Sequence, residues 1–318
     1  MLTGTDIAFA AELLTDNKLV AIPTETVYGL AANAFNTSAV LNIYKTKNRP
    51  QFNPLIIHSN SLLRFENWGL TIPAEAKKLS THFWPGPLTL VVKANEHIPD
   101  VVTAGTGAVA IRVPNHPLTL QLLALLDFPL AAPSANPSGF VSPTSALHVA
   151  KNLGNKIDYI LDGGNCTVGL ESTIVSFLEE EPMVLRFGGL AIEEIEAVLG
   201  KKVAVANKDN KIVAPGMLTK HYAPNHKLVV VDDLQQAYLG YHKNRVGIIS
   251  FSSFIGDVPV EHQFILSENN NLEEAASNLF AAMQQIDELD LDIILAERFP
   301  NKGLGFAIND RLKRASIE

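Results

Sequence analysis

The chain has 318 residues, 47% hydrophobic and 18% charged, with a net charge of −8. That length exceeds what one core usually fills, so two domains are expected, and the composition excludes a disordered chain. The acidic balance argues against a surface that coats nucleic acid, though it leaves room for a local basic cavity. The single cysteine, Cys166, excludes an internal disulfide and a cysteine-based zinc site, and fits a reducing compartment.

The N-terminus has no basic region ahead of an apolar stretch, and Asp6, Glu12 and Asp16 interrupt it. The most apolar helical run, 118–126, is too short to cross a bilayer, so a soluble, cytoplasmic protein is expected. A helix at 6–16 leads to a strand at 19–22, and Pro23 opens the polar loop PTETVYGL. Loops leaving strand ends are where α/β proteins keep ligand groups, so Thr24, Glu25, Thr26 and Tyr28 are candidates. The alternative is that the threonines cap the next segment and Tyr28 is half-buried.

A helix capped by Thr37 or Ser38 runs into KTKNRPQFNPLIIH (45–58), the stretch around which the chain is organised. Lys45, Lys47 and Arg49 share one turn; Pro50 ends the helix, Asn53 and Pro54 follow, and Leu55, Ile56 and Ile57 form a short buried strand closed by His58. Cations at a helix C-terminus beside a strand end suit a phosphate or a carboxylate; a solvated basic helix end is the other reading. Residues 73–83 look helical with Pro73 in the first turn, and WPGPLTLVVK gives a turn and a strand, with Trp84 as a core anchor. AVAIRVP (108–114) is a strand that sets Arg112 among apolar neighbours, where a cation needs a structural acid or a ligand. No nearby strand carries an inward acid, which favours the ligand.

After an apolar helix at 116–126, a strand at 130–132 enters a loop of small and hydroxyl residues: Ser134, Asn136, Ser138, Ser142 and Thr144. Small side chains let backbone N–H groups approach an anion, and Ser142–Pro143 reads as an N-cap followed by proline at the first helical position. Strands follow at 157–161, after the GLEST turn (169–173), and at 183–186, which ends in Arg186. The pattern dissolves between 200 and 222, the best domain boundary. Beyond it, strands at 228–231, 246–251, 264–266 and 293–296 alternate with helices at 234–241, 272–286 and 304–314, a second small α/β layer domain in which no site is evident. The expected division is 1–200, a linker at 201–224 that covers the site, and 225–318. There is no Walker motif; Gly105, Gly107 and Ala110 precede a strand, Gly303 and Gly305 lack a third glycine, and His221 and His226 are too isolated for a metal.

Taken together, PTETVYGL, KNRP, NPLIIH, FWPGPLTLV, IRVPNHP, AAPSANPSG, SPT, ILDGG, GLESTIV and HYAP resemble the YrdC-type threonylcarbamoyl-AMP synthases in their longer form, most densely over 13–186. The resemblance implies an α/β fold: an N-terminal YrdC-like twisted open sheet domain joined by a long linker to a smaller Rossmann-like α/β/α domain. It implies condensation of L-threonine, bicarbonate or CO₂, and ATP to threonylcarbamoyl-AMP and pyrophosphate. The product would pass to a tRNA threonylcarbamoyl transferase complex that modifies the adenosine beside the anticodon; direct contact with tRNA or other RNA is left open. The family's Lys-x-Arg and Ser-x-Asn pairs fall on Lys47, Arg49, Ser134 and Asn136 as catalytic residues, and Lys45 is an extra cation. Threonine would be held by Thr26, His58, Arg112, Ala132 and Ser172, and ATP by Arg49, Asn53, Ser134, Ser142, Arg186, His221 and Tyr222. Mg²⁺ would arrive through the ATP phosphates without protein ligands, and no tightly bound organic cofactor is implied. Two departures stand out: Ala214, Pro215, Gly216, Met217, Leu218, Thr219 and Lys220 replace a linker that usually carries an arginine, and Arg186 is followed by Phe187 and Gly188. A non-catalytic RNA-binding or regulatory relative is the alternative, for which the four catalytic residues would not be needed together.

Overall fold

The computed structural model describes residues 2–207, 213–216 and 221–317. The chain starts with β1 (Leu2–Gly4), α1 (Ile7–Thr15), β2 (Val20–Ile22), β3 (Gly29–Asn33), α2 (Thr37–Lys47), β4 (Ile56–His58) and α3 (Leu62–Asn67). It continues through α4 (Ala74–Phe83), β5 (Leu88–Lys93), α5 (Asp100–Thr103), β6 (Ala108–Arg112), α6 (Pro117–Leu125), β7 (Leu130–Ala131) and α7 (Ala146–Leu153). Then come β8 (Tyr159–Leu161), β9 (Thr173–Ser176), β10 (Met183–Arg186), α8 (Ile192–Leu199) and β11 (Ala204–Val205). The C-terminal part adds β12 (Leu228–Val231), α9 (Leu234–Tyr241), β13 (Val246–Ser250), β14 (Gln263–Ile265), α10 (Leu272–Ile286), β15 (Ile293–Glu297) and α11 (Gly305–Ala315).

Local chemistry explains the ends that decide the site. Asn36, not Thr37 or Ser38, caps α2 by accepting the Ala39 N–H, because a short amide reaches the free donors of the first turn. At the other end Asn48 adopts the left-handed conformation with φ 51°, which stops α2 at Lys47 and turns Arg49 inward. Pro73 stands at the N-cap of α4, one residue before the first turn. The expectation that Ser142 caps a helix is corrected: α7 begins three residues later behind Ser145, whose side chain accepts the His148 N–H. The Ser142 hydroxyl is committed elsewhere, 2.6 Å from Glu171 Oε1. Trp84 packs on the core and donates its indole N–H to the Leu88 carbonyl, as an anchor should.

Eleven strands form one mixed sheet in the order β1-β8-β2-β3-β7-β4-β6-β5-β9-β10-β11. Alternation along β2 and β3 sends Leu19, Ala21 and Leu30 to one apolar cluster and Val20, Ile22 and Ala31 to another. The second cluster is closed by α1 and α6. Within the stretch 201–224, β11 adds to the sheet in parallel with β10. The C-terminal strands form a four-stranded sheet, β12-β15-β13-β14, in which every pair is parallel. Its central strands β13 and β15 are almost wholly buried, as in a sheet covered on both faces. A further apolar cluster crosses between the two layers, joining Val27, Val141 and Leu170 to Tyr222, Leu279 and Phe280.

Candidate active site

Strand pairing brings the candidate residues together. The register of β4 on β6 sets His58 directly beside Arg112, and β10 on β9 sets Arg186 opposite Ile174, two residues from Ser172. Gly29 bridges to Ser134, which pins the loop after β7 to the start of β3. The result is a cavity of about 50 Å³ lined by Arg49, His58, Arg112, Ala132, Ser134, Ser172, Arg186, His221 and Tyr222. Of the other five candidates, four stand one bond behind it and Asn136 stands behind Lys47. Thr26 Oγ1 accepts from Arg112 (2.9 Å), the Asn53 carbonyl accepts from Arg49 (3.1 Å), Ser142 donates to Glu171 (2.6 Å), and Lys47 donates to the carbonyls of Ser134 and Asn136.

The four candidate cations are all buried, and their partners divide them sharply. Lys47 is 1% exposed and bonded to two backbone carbonyls. Arg49 donates to the carbonyls of Asn53 and Pro54, and Arg186 to those of Ser172 and Pro215 and to the Ser172 hydroxyl. Among the described residues none of the three has a carboxylate within ion-pair distance. Burial, and then the neighbouring Arg49, holds the Lys47 ammonium well below its ordinary value. Burial brings Arg49 down to about 10 and lowers Arg186 as well. A solvated basic helix end is therefore excluded for Lys47 and Arg49, although Lys45 is exposed and fits that description.

Arg112 differs. Its Nη2 lies 2.8 Å from Glu25 Oε1, an ionic contact without hydrogen-bond alignment, in a pair whose side chains are 5% and 6% exposed. Of the two partners the sequence allowed, the structural acid is present: it comes from the PTETVYGL loop, not from a strand, which corrects the preference for a ligand alone beside Arg112. Glu25 Oε2 also accepts the Asn115 N–H, fixing the carboxylate from the other side. In the same loop Thr24 Oγ1 accepts the N–H groups of Thr26 and Val27, so it builds the turn. Tyr28 is fully buried, not half-buried, and its hydroxyl donates to the Gly164 carbonyl.

Several buried polar atoms here have no partner among the described residues: both side-chain amide atoms of Asn53, Asn136 Oδ1, His58 Nδ1 and His221 Nδ1. Buried polar groups are nearly always paired, so such a concentration marks a surface built for a ligand. Burial and then Arg112 bring His58 down to about 3, and burial brings His221 to about 3, so both rings are neutral at physiological pH. His221 and Tyr222 reach the cavity from the linker, whose residues 217–220, and with them Met217, Leu218, Thr219 and Lys220, lie outside the described residues. Gly216 has φ 82°, and a Cβ there would lie 2.6 Å from Arg186 Cδ, so only glycine lets the linker pass this closely.

Sequence reasoning missed Glu171 and Arg311. Arg311 comes from α11 and is fully buried, with Nε 2.9 Å from Glu171 Oε2 and Nη2 2.9 Å from the Phe187 carbonyl. Its signal was hidden in DRLKR, which reads as a solvated charge run, yet Arg311 falls on the buried face with Ile308 and Leu312. Among the described residues no group of three His, Cys, Asp or Glu is placed to hold a metal ion. Both oxygens of Glu171, the one carboxylate lining the cavity among the described residues, are already bonded. No described helix is long and apolar enough to cross a membrane.

A family model described as telomere recombination, Sua5/YciO/YrdC, matches residues 12–188, and one described as threonylcarbamoyl-AMP synthase, C-terminal domain, matches 190–316. The threonylcarbamoyl-AMP synthase of Pyrococcus abyssi is 44% identical over 98% of this chain and 94% of that protein. Its counterpart in Bacillus subtilis is 42% identical over 98% and 92%. A crystal structure of P. abyssi Sua5 complexed with L-threonine superposes with a TM-score of 0.91 at 41% identity, covering 99% of this chain and 97% of that one. On sequence along its whole length and on fold, the chain belongs to the threonylcarbamoyl-AMP synthase family, in its two-domain form.

Proposed function

We propose that this protein is an L-threonylcarbamoyladenylate synthase, a nucleotidyltransferase working for tRNA modification. The observation that carries the reading is the set of three buried cations, Lys47, Arg49 and Arg186, which among the described residues donate hydrogen bonds only to neutral groups around one cavity. Cations held this way in a dry site are costly until an anion arrives, and a triphosphate meets that need. A surface that coats RNA would instead spread exposed cations over a broad face.

In the reaction the threonine amine adds to bicarbonate and loses water, giving an N-carboxylate. That carboxylate attacks the α-phosphorus of ATP, and pyrophosphate leaves with the bridging electron pair. Two anions must meet, so catalysis is positioning plus charge stabilisation, and no covalent nucleophile is needed. In this reading Arg112, oriented by Glu25, offers its guanidinium to the threonine carboxylate. Neutral His58, Thr26, Ala132 and Ser172 surround the rest of the amino acid. Arg49, Asn53, Ser134, Ser142 and Arg186 take the nucleotide, with His221 and Tyr222 closing over it. Lys47 and Asn136 serve the bicarbonate or the carbamate. Mg²⁺ would arrive with the ATP phosphates as part of the substrate. The 201–224 stretch acts as a cover, and the product is passed to a tRNA-modifying transferase in the cytoplasm.

The test is pyrophosphate release from ATP by the purified protein with bicarbonate and, in turn, threonine, serine or no amino acid. Release that requires both threonine and bicarbonate supports the reading; turnover indifferent to threonine would overturn it.

A further inference from the structure

A carboxylate is a strange neighbour for a triphosphate. Glu171 lines the cavity beside Arg186, 7% exposed, and is ionised: burial would raise its pKa, but Arg311, Arg186 and the Ser142 hydroxyl together bring it to about 2. Left to itself, a fixed negative charge there would repel ATP. It is not left to itself. Arg311 reaches it across 140 residues of sequence, from a helix of the C-terminal domain, and nothing of that side chain is exposed to water.

The same guanidinium does four things at once: its Nη1 donates to Oδ2 of the adjacent Asp310 (2.8 Å), and the other three bear on the cavity. Its Nε neutralises Glu171, which leaves the other carboxylate oxygen to accept from Ser142, a candidate nucleotide contact. Its Nη2 holds the Phe187 carbonyl, directly after Arg186. Its plane lies 5.1 Å from the Tyr222 ring centroid, under the linker aromatic that lines the cavity. A second contact from the same domain, Gln284 Nε2 to the Ser142 carbonyl at 2.9 Å, fixes the backbone of that serine.

We infer that Arg311 is a positioning residue of the nucleotide site: by neutralising Glu171 and holding it against Ser142, the C-terminal domain sets the affinity for ATP. The inference rests on the synthase reading for the identity of the nucleotide. Domain glue alone would also bury an arginine, but it would not make ATP binding depend on the charge of Glu171.

The experiment uses the full-length protein, with ATP affinity read by equilibrium titration, the Michaelis constants for ATP and threonine by pyrophosphate release, and folding by thermal melting. Arg311→Met is expected to weaken ATP binding about tenfold while the threonine constant stays within about twofold, because the exposed like charge faces the phosphates. Adding Glu171→Gln to that variant removes the charge and is expected to restore ATP affinity to within about threefold of wild type. A folded Arg311→Met protein with unchanged ATP affinity, or an equal loss for both substrates that Glu171→Gln does not rescue, overturns the inference. Should Arg311→Met fail to fold, Glu171→Gln alone decides: ATP binding at least as tight as wild type supports it, and a loss of about tenfold makes Glu171 a direct nucleotide ligand and overturns it. Absence of threonine-dependent pyrophosphate release in the wild-type protein counts against the synthase reading, whereas the ATP titration judges Arg311 independently of turnover.

Discussion

At the residue scale the site is a problem in charge balance. Arg112 is compensated by Glu25 and Arg311 by Glu171 and Asp310, while among the described residues Lys47, Arg49 and Arg186 donate hydrogen bonds only to carbonyls and a hydroxyl. Removing one partner of a buried pair costs far more than the pair itself contributes, because the remaining charge stays desolvated. Glu25→Gln is therefore expected to lose about 3–5 kcal/mol of stability in urea unfolding, and to raise the Michaelis constant for threonine through a misaligned Arg112. Unchanged stability would mean that Arg112 is already balanced by something else. The cations themselves were legible in the sequence, since KNRP and IRVP put charge beside proline and apolar strands. Their counter-charges were not, because Glu25 sits in a loop and Glu171 in a turn, where no periodicity reveals which way a side chain points.

At the element scale, strand ends and the turns that leave them do the positioning. The helices at 234–241 and 272–286 and the strands at 183–186 and 228–231 were readable to the residue from apolar spacing and caps. The start of α7 was not, because Ser142–Pro143 and Ser145 offer two serine caps three residues apart, and a long-range bond to Glu171 decides between them. Residue patterning shows the linker only as a loss of pattern, and it was the family resemblance that pointed to His221 and Tyr222; the linker carries Tyr222 to the cavity, stacked on Phe280 with ring centroids 5.5 Å apart. His221 and Tyr222 both line the cavity, the place from which a cover over a bound nucleotide would act. Tyr222→Ala is expected to speed loss of the labile adenylate about tenfold while single-turnover formation stays within about twofold. Equal slowing of both steps in rapid-quench kinetics would count against a cover.

At the scale of the whole molecule, burial of neutral histidines links stability to pH. His58 and His221 titrate near 3 in the folded protein, against 6.5 as their ordinary value. The unfolded chain therefore binds more protons in this window, so the stabilisation is complete above about pH 6.5 and is lost as pH falls toward 3. Glu171, held at about 2 against an ordinary 4.5, adds a further loss in the same direction below about pH 4.5. Two such histidines predict about 2–3 kcal/mol less stability at pH 5.5 than at pH 7.5. A flat profile in denaturant titrations would show that the rings are not held neutral. The two-layer architecture was visible in the alternation of strands and helices. That the layers share an apolar cluster and a buried ion pair was not, because Val27, Leu170 and Glu171 lie more than a hundred residues from Phe280 and Arg311.

The most direct measurement of the central claim is mass spectrometry of the product formed from ATP, L-threonine and carbon-13 bicarbonate, run beside Lys47→Ala. The account predicts threonylcarbamoyl-AMP carrying the label at its carbamoyl carbon, reduced at least about a hundredfold in the variant. An adenylate without the label, or labelled product at wild-type rate from Lys47→Ala, would contradict it.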